Sequence, residues 1–165
     1  MAAPSRITAE LIVECLENEG VTHVFGIPGE ENIRLVDALS RSSIEYVLTR
    51  HEQGASFMAE VFGRLTGRAG GLLGDPGPPG AINLLLGVAD ATTNSTPVLA
   101  LSAQVGMRRS YKESHQGVDL VSMFAPVTKW SALVATPGAV PEMVRKASSS
   151  PRPSVRVPST WPCRR

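Results

Sequence analysis

Apolar positions recur at helical spacing at Ile7, Leu11, Ile12, Cys15 and Leu16, and Gly20 stands where such a helix ends, in the C′ position. Thr22-His23-Val24-Phe25-Gly26 reads as a short strand, and Ile27-Pro28-Gly29-Glu30 as the turn after it. Asn32 is placed to cap a second helix carrying Ile33, Leu35, Val36 and Leu39. Ile44 to Leu48 reads as a buried strand. A long helix is expected from about His51 to Thr66, ended by Gly67, with Ala55, Met58, Ala59 and Phe62 along one face. Gly70 to Leu73 reads as a third strand, Gly74-Asp75-Pro76-Gly77-Pro78-Pro79-Gly80 as a turn, Ala81 to Ala91 as a helix and Pro97 to Ala103 as a fourth strand. Strand and helix alternate four times. That order predicts an α/β fold, a doubly wound parallel sheet with helices on both faces.

From residue 148 the pattern lapses. Ser148 to Arg165 is rich in serine, proline and arginine and carries no acid, whereas the chain as a whole has 15 Asp and Glu. Such a bias predicts a loop or disorder. The reading is therefore one domain over residues 1–147 and an irregular, disordered or frame-shifted tail over 148–165.

Composition narrows the function classes. A length of 165 residues fits one domain with a real core. A net charge of +1 and 5% aromatics give no electrostatic or stacking basis for nucleic acid. No apolar stretch approaches the roughly 20 residues of a membrane span. Met1 to Arg6 lacks an apolar signal core, so a cytoplasmic location is expected. Cys15 and Cys163 make no disulfide framework, and Cys15 reads as a core thiol.

The segment Arg50-His51-Glu52-Gln53-Gly54-Ala55 places an acid at the start of a helix directly after a strand, between two glycine-rich turns. Three strand-to-helix turns would converge on one edge of a parallel sheet, where such sheets bind ligands. On spacing alone Glu52 also reads as a solvated or capping acid stabilised by the helix dipole. Gly29 and Gly80 leave room for a ligand to approach the backbone, and amides at helix starts suit polar ring atoms or anions. The turn at 74–80 lacks the Gly-Lys-Ser/Thr ending of a P-loop, and no dinucleotide glycine fingerprint or nucleophile elbow occurs. Lys112-Glu113-Ser114-His115-Gln116 is a second polar candidate at the same edge, or plain surface. His23, His51 and His115 are too scattered for a metal site, so no metal ligand is expected.

Taken together, these residues resemble the N-terminal, pyrimidine-binding domain of thiamine-diphosphate-dependent enzymes, and look like that of acetolactate synthase large subunits. The likeness is carried by Val24-Phe25-Gly26-Ile27-Pro28-Gly29, by Arg50 to Ala55 with Met58-Ala59, and by Gly63-Arg64-Leu65-Thr66-Gly67-Arg68. Gly80-Ala81-Ile82-Asn83 with Gly87-Val88-Ala89-Asp90-Ala91 continues it, as do Ser114-His115-Gln116, Met123-Phe124 and Pro126-Val127-Thr128-Lys129. The resemblance implies a flavodoxin-like domain that binds the pyrimidine half of thiamine diphosphate. It makes Glu52 the catalytic acid, hydrogen-bonded to N1′ of the aminopyrimidine so that the imino tautomer takes the C2 proton of the thiazolium. It also makes Pro28, Gly29 and Asn83 the walls of the pyrimidine slot and puts Gln116 near the thiazolium and substrate. Magnesium is implied too, but its ligands, with a Gly-Asp-Gly motif, belong to a further domain that this sequence does not contain. The implied partners are a 2-oxo acid such as pyruvate and a second subunit, as a homodimer or higher.

Two differences from the family pattern carry expectations. Asp75 stands where the family has threonine, and Pro78-Pro79 adds a residue, which should displace the backbone around Asn83. Half a site predicts a chain that is inactive alone. The first functional reading is therefore a carboligase domain that decarboxylates pyruvate and joins the two-carbon unit to a second 2-oxo acid. The alternatives are a non-catalytic remnant with exposed apolar surface and a flavodoxin-like module for another small ligand.

Overall fold

The computed structural model describes residues 7–74, 80–104, 106, 117–149 and 154–158. Within them the chain runs α1 (Thr8–Asn18), β1 (His23–Gly26), α2 (Ile33–Leu39), β2 (Glu45–Leu48), α3 (Glu52–Thr66), β3 (Gly70–Gly74), α4 (Gly80–Thr93) and β4 (Val98–Ser102). It continues through α5 (Leu120–Phe124), β5 (Trp130–Val134), α6 (Val140–Ser148) and β6 (Ser154–Pro158). The strands form one sheet in the order β2-β1-β3-β4-β6-β5. Every pairing is parallel. Parallel neighbours need crossover helices, and these cover both faces of the sheet, as the alternation of elements predicts.

Alternation of side chains along each strand divides the core in two. Val24, Leu73, Leu99 and Leu101 face α1, α2 and α6, where they meet Leu16, Leu39, Val144 and Ala147. Their neighbours Phe25, Leu72, Val98 and Ala100 face α3, α4 and α5, meeting Ala55, Ala59, Leu84, Val88 and Phe124. Cys15 is buried in the first of these clusters, as its place on the helical face predicts. Gly20 and Gly67, at φ +76° and +68°, take the left-handed conformation that ends α1 and α3.

Four features differ from the sequence reading. Ile44 to Leu48 is not a buried strand: β2 is an edge strand and Leu48 is 61% exposed, because among the described residues only β1 pairs with it. Met58 turns outward while Ala55, Ala59 and Phe62 pack inward, since it lies at the margin of the arc those three define. Asn32 precedes α2 but makes no side-chain cap; its side chain is used elsewhere. Finally, the sheet has two strands beyond the four expected. One of them, β6, lies inside the Ser/Pro/Arg-rich stretch whose composition predicts a loop. Hydrogen bonding to β4 on one side and β5 on the other gives its backbone partners that composition does not encode.

Candidate functional site

Strand order reverses around β1: β2 lies on one side, and β3 followed by β4 on the other. The C-terminal ends of β1, β2 and β3 therefore lie at the same edge of the sheet, where sheets of this type bind ligands. Gly26 makes the approach possible, because a Cβ there would overlap the Leu73 carbonyl oxygen and lie 3.0 Å from Leu73 Cβ.

Two buried polar side chains tie the edge together. Asn32, 2% exposed, accepts from the Gly29 amide at 2.8 Å and donates to the carbonyls of Ile27 at 3.1 Å and Gly74 at 3.4 Å. It thus closes the turn after β1 and fastens it to the end of β3. Thr49 continues from β2, and its amide donates to the Gly26 carbonyl at 2.9 Å. Its hydroxyl lies 3.3 Å from the carbonyls of both Gly26 and His51 and donates its one proton to either. The sequence reading missed both supporting roles. Asn32 was legible only as a cap, and nothing in the pattern around Thr49 marks it.

His51 is the N-cap of α3, with extended backbone and Nδ1 accepting from the Gln53 amide at 3.2 Å. Glu52 is therefore the first helical residue and half-buried. Asn83, in the first turn of α4, donates from Nδ2 to Glu52 Oε2 at 3.0 Å. Among the described residues, Oε1 accepts no hydrogen bond. One carboxylate oxygen is thus held by Asn83, and the other has no hydrogen-bond donor among the described residues. Asn83 reaches Glu52 despite the extra proline in the preceding turn, which itself lies outside the described residues.

The structure brings Glu52 and Asn83 into direct contact and places Pro28 and Gly29 in the turn after β1 at the same edge. Pro28 is exposed, and the Gly29 amide is not free, since Asn32 occupies it. Gln116 and the rest of Lys112 to Gln116 lie outside the described residues. No group of three His, Cys, Asp or Glu side chains gathers to hold a metal among the described residues. No helix among them is long and apolar enough to cross a membrane.

A parallel sheet carrying a half-buried acid at its switch-point edge defines a small-ligand-binding α/β domain, and its sequence assigns the class. Residues 6–123 match the family model described as thiamine pyrophosphate enzyme, N-terminal TPP binding domain, and the chain belongs to that family. Its relatives include the acetolactate synthase of Bacillus subtilis, 45% identical over 139 residues that cover 84% of this chain and 24% of that protein. The catabolic acetolactate synthase of Raoultella terrigena is also 45% identical, over 84% of this chain and 25% of its own length. The probable acetolactate synthase large subunit of Methanocaldococcus jannaschii is 40% identical, over 84% and 23%. The chain spans about a quarter of the length of these curated relatives.

Proposed function

We propose that this chain is the cofactor-activating domain of a cytoplasmic acetolactate-synthase-like carboligase, with Glu52 as its catalytic acid. The observation that carries the reading is the asymmetry of the Glu52 carboxyl, with Oε2 held by Asn83 and Oε1 without a donor among the described residues. That donor set suits the aminopyrimidine of thiamine diphosphate, whose ring nitrogen needs one carboxyl oxygen and one shared proton. When bound, thiamine diphosphate supplies a nucleophilic carbon that adds to a 2-oxo acid and takes up the electrons left behind by carbon dioxide.

The chain's own residues then divide the work. Glu52 holds and releases a proton at Oε1, because an oxygen that accepts from the Asn83 amide is the less favourable place for it. Asn83 fixes the rotamer of that carboxyl. Pro28 and Gly29 line the approach, their turn held by Asn32. Gln116 serves the thiazolium and substrate side.

The diphosphate and magnesium need ligands outside these elements, so the reading includes a partner domain from further chain or a second subunit. The outer surface of α3 and α4 supports this. Phe57, Met58, Val61 and Leu65 fall within about 100° of arc on α3, and Ile82 and Leu86 lie one turn apart on α4; all six are exposed. Apolar side chains grouped in this way mark a surface that is covered in assembly. Without that partner the domain is inactive.

The test is Glu52→Gln in a protein joining this stretch to the remaining three-quarters of a relative, with acetolactate formation from pyruvate as the readout. Loss of a proton-transfer group lowers kcat by about 100-fold or more. Unchanged turnover would remove Glu52 from its role and the reading with it.

A further inference from the structure

The Glu52–Asn83 contact depends on how closely α3 and α4 lie, and that separation is set one helical turn away. Ser56 follows Glu52 by four residues, and Gly87 follows Asn83 by four, so the second pair stacks directly behind the first. A Cβ on Gly87 would penetrate Ser56 Oγ and lie 2.6 Å from Ser56 Cβ and 2.9 Å from its backbone carbonyl carbon. All of these are well inside the 3.4 Å at which ordinary contact begins. The backbone of α4 therefore rests on Ser56 with no space between. Ser56 is 1% exposed, and its hydroxyl folds back to the Gln53 carbonyl at 2.7 Å, so the surface it offers to Gly87 is held in one orientation.

The far end of α3 is pinned independently. A Cβ on Gly63 would overlap the Pro97 carbonyl oxygen and stand 3.0 Å from Thr96 Cγ2. Between these points Thr96 donates its hydroxyl to Glu60 at 3.1 Å. With its far end fixed, a helix pushed off at Gly87 moves most at its N-terminal turn. Glu52 is in that turn of α3, and the bond it accepts from Asn83 has no slack at 3.0 Å.

We propose that Ser56 and Gly87 are positioning residues for Glu52, holding α3 and α4 at the separation at which Asn83 occupies Oε2 and leaves Oε1 to the ligand. This rests on the reading of Glu52 given above. Neither residue touches the reacting atoms; both act through the Glu52–Asn83 pair.

The test reads that pair directly, by nuclear magnetic resonance of the whole chain with asparagine labelled in 15N and no cofactor present. The Asn83 side-chain amide, assigned by its absence in Asn83→Ala, is expected to shift when Glu52→Ala removes its acceptor. In Gly87→Ala this shift is expected to disappear while the backbone spectrum stays folded. Adding Ser56→Gly to Gly87→Ala removes the two side-chain clashes and is expected to restore at least half of the shift. If Gly87→Ala does not fold, Ser56→Thr, which adds one methyl to the same seam, replaces it with the same expected loss. A Glu52-dependent shift that survives in the folded variant, or a loss that Ser56→Gly leaves untouched, would overturn the proposal. Because no turnover is measured, failure here is distinct from failure of the Glu52→Gln experiment.

Discussion

The side-chain amide of Asn32 donates to the carbonyl of Gly74, 42 residues further along the chain, and so joins the turn after β1 to the end of β3. The same side chain accepts from the Gly29 amide and donates to the Ile27 carbonyl. A single asparagine therefore satisfies backbone groups of both segments that border the switch point.

Replacing Asn32 with alanine would leave the Gly29 amide and the Ile27 and Gly74 carbonyls without this partner. A buried group stranded in this way costs about 1–3 kcal/mol. We expect Asn32→Ala to lower stability by that amount, measured by urea unfolding. Asn32→Asp keeps the acceptor for Gly29 but loses both donated bonds, and is expected to fall between the two.

Glu60 is 2% exposed and accepts from Arg64 and from Thr96. Arg64 is half-exposed, so the two partners are not equivalent. Arg64→Met strands a buried carboxylate, whereas Glu60→Gln removes the buried charge and lets Arg64 turn to water. The first is expected to cost about 1–3 kcal/mol and the second less. Urea midpoints of the two variants check the order, and the reverse order would mean that the charge itself stabilises the fold.

Tyr46 carries a buried hydroxyl with no hydrogen-bond partner among the described residues, and burial pushes its pKa up to about 12 from 10.0. Because the folded state disfavours the phenolate, this contribution to stability is complete below pH 10 and is lost as pH rises towards 12. Tyr46→Phe removes the unpaired hydroxyl and keeps the ring. It is expected to match or exceed the parent in thermal stability by up to about 1 kcal/mol and to blunt the loss in base.

Leu65 is 79% exposed at the end of the apolar stripe on α3. Leu65→Glu with Val61→Lys is expected to leave the fold intact and reduce self-association, followed by sedimentation velocity against protein concentration. A sedimentation profile identical to the parent would show that this stripe is not an association surface of the chain.

The site was legible where its chemistry is local. A glycine turn, an acid at a helix start and an apolar strand before it are all properties of neighbouring residues, and Glu52 could be picked out from them. So could Asn83, although its contact with Glu52 spans 31 residues and was not foreseen. What stayed hidden depends on pairing between distant segments. Asn32 looks like any helix cap until Gly74 is beside it. Thr49 gains its role only because β2 lies against β1. Edge exposure of β2 follows from strand order, which alternation cannot report. β6 likewise owes its conformation to two neighbours rather than to its own serines and prolines.

Strand β6 lies between β4 and β5, although it is the last of the three to be synthesised. Strands β1 to β4 can pair with one another once residue 102 has left the ribosome, since β2, β1, β3 and β4 are consecutive in the sheet. Trp130 to Val134 cannot, because among the described residues β6 is the only strand with which it pairs. Until residue 158 emerges, that segment and the open edge of β4 have no strand between them. Assembly on the ribosome is therefore expected in two stages, with the switch-point strands paired first and the opposite edge of the sheet closed only by the final insertion.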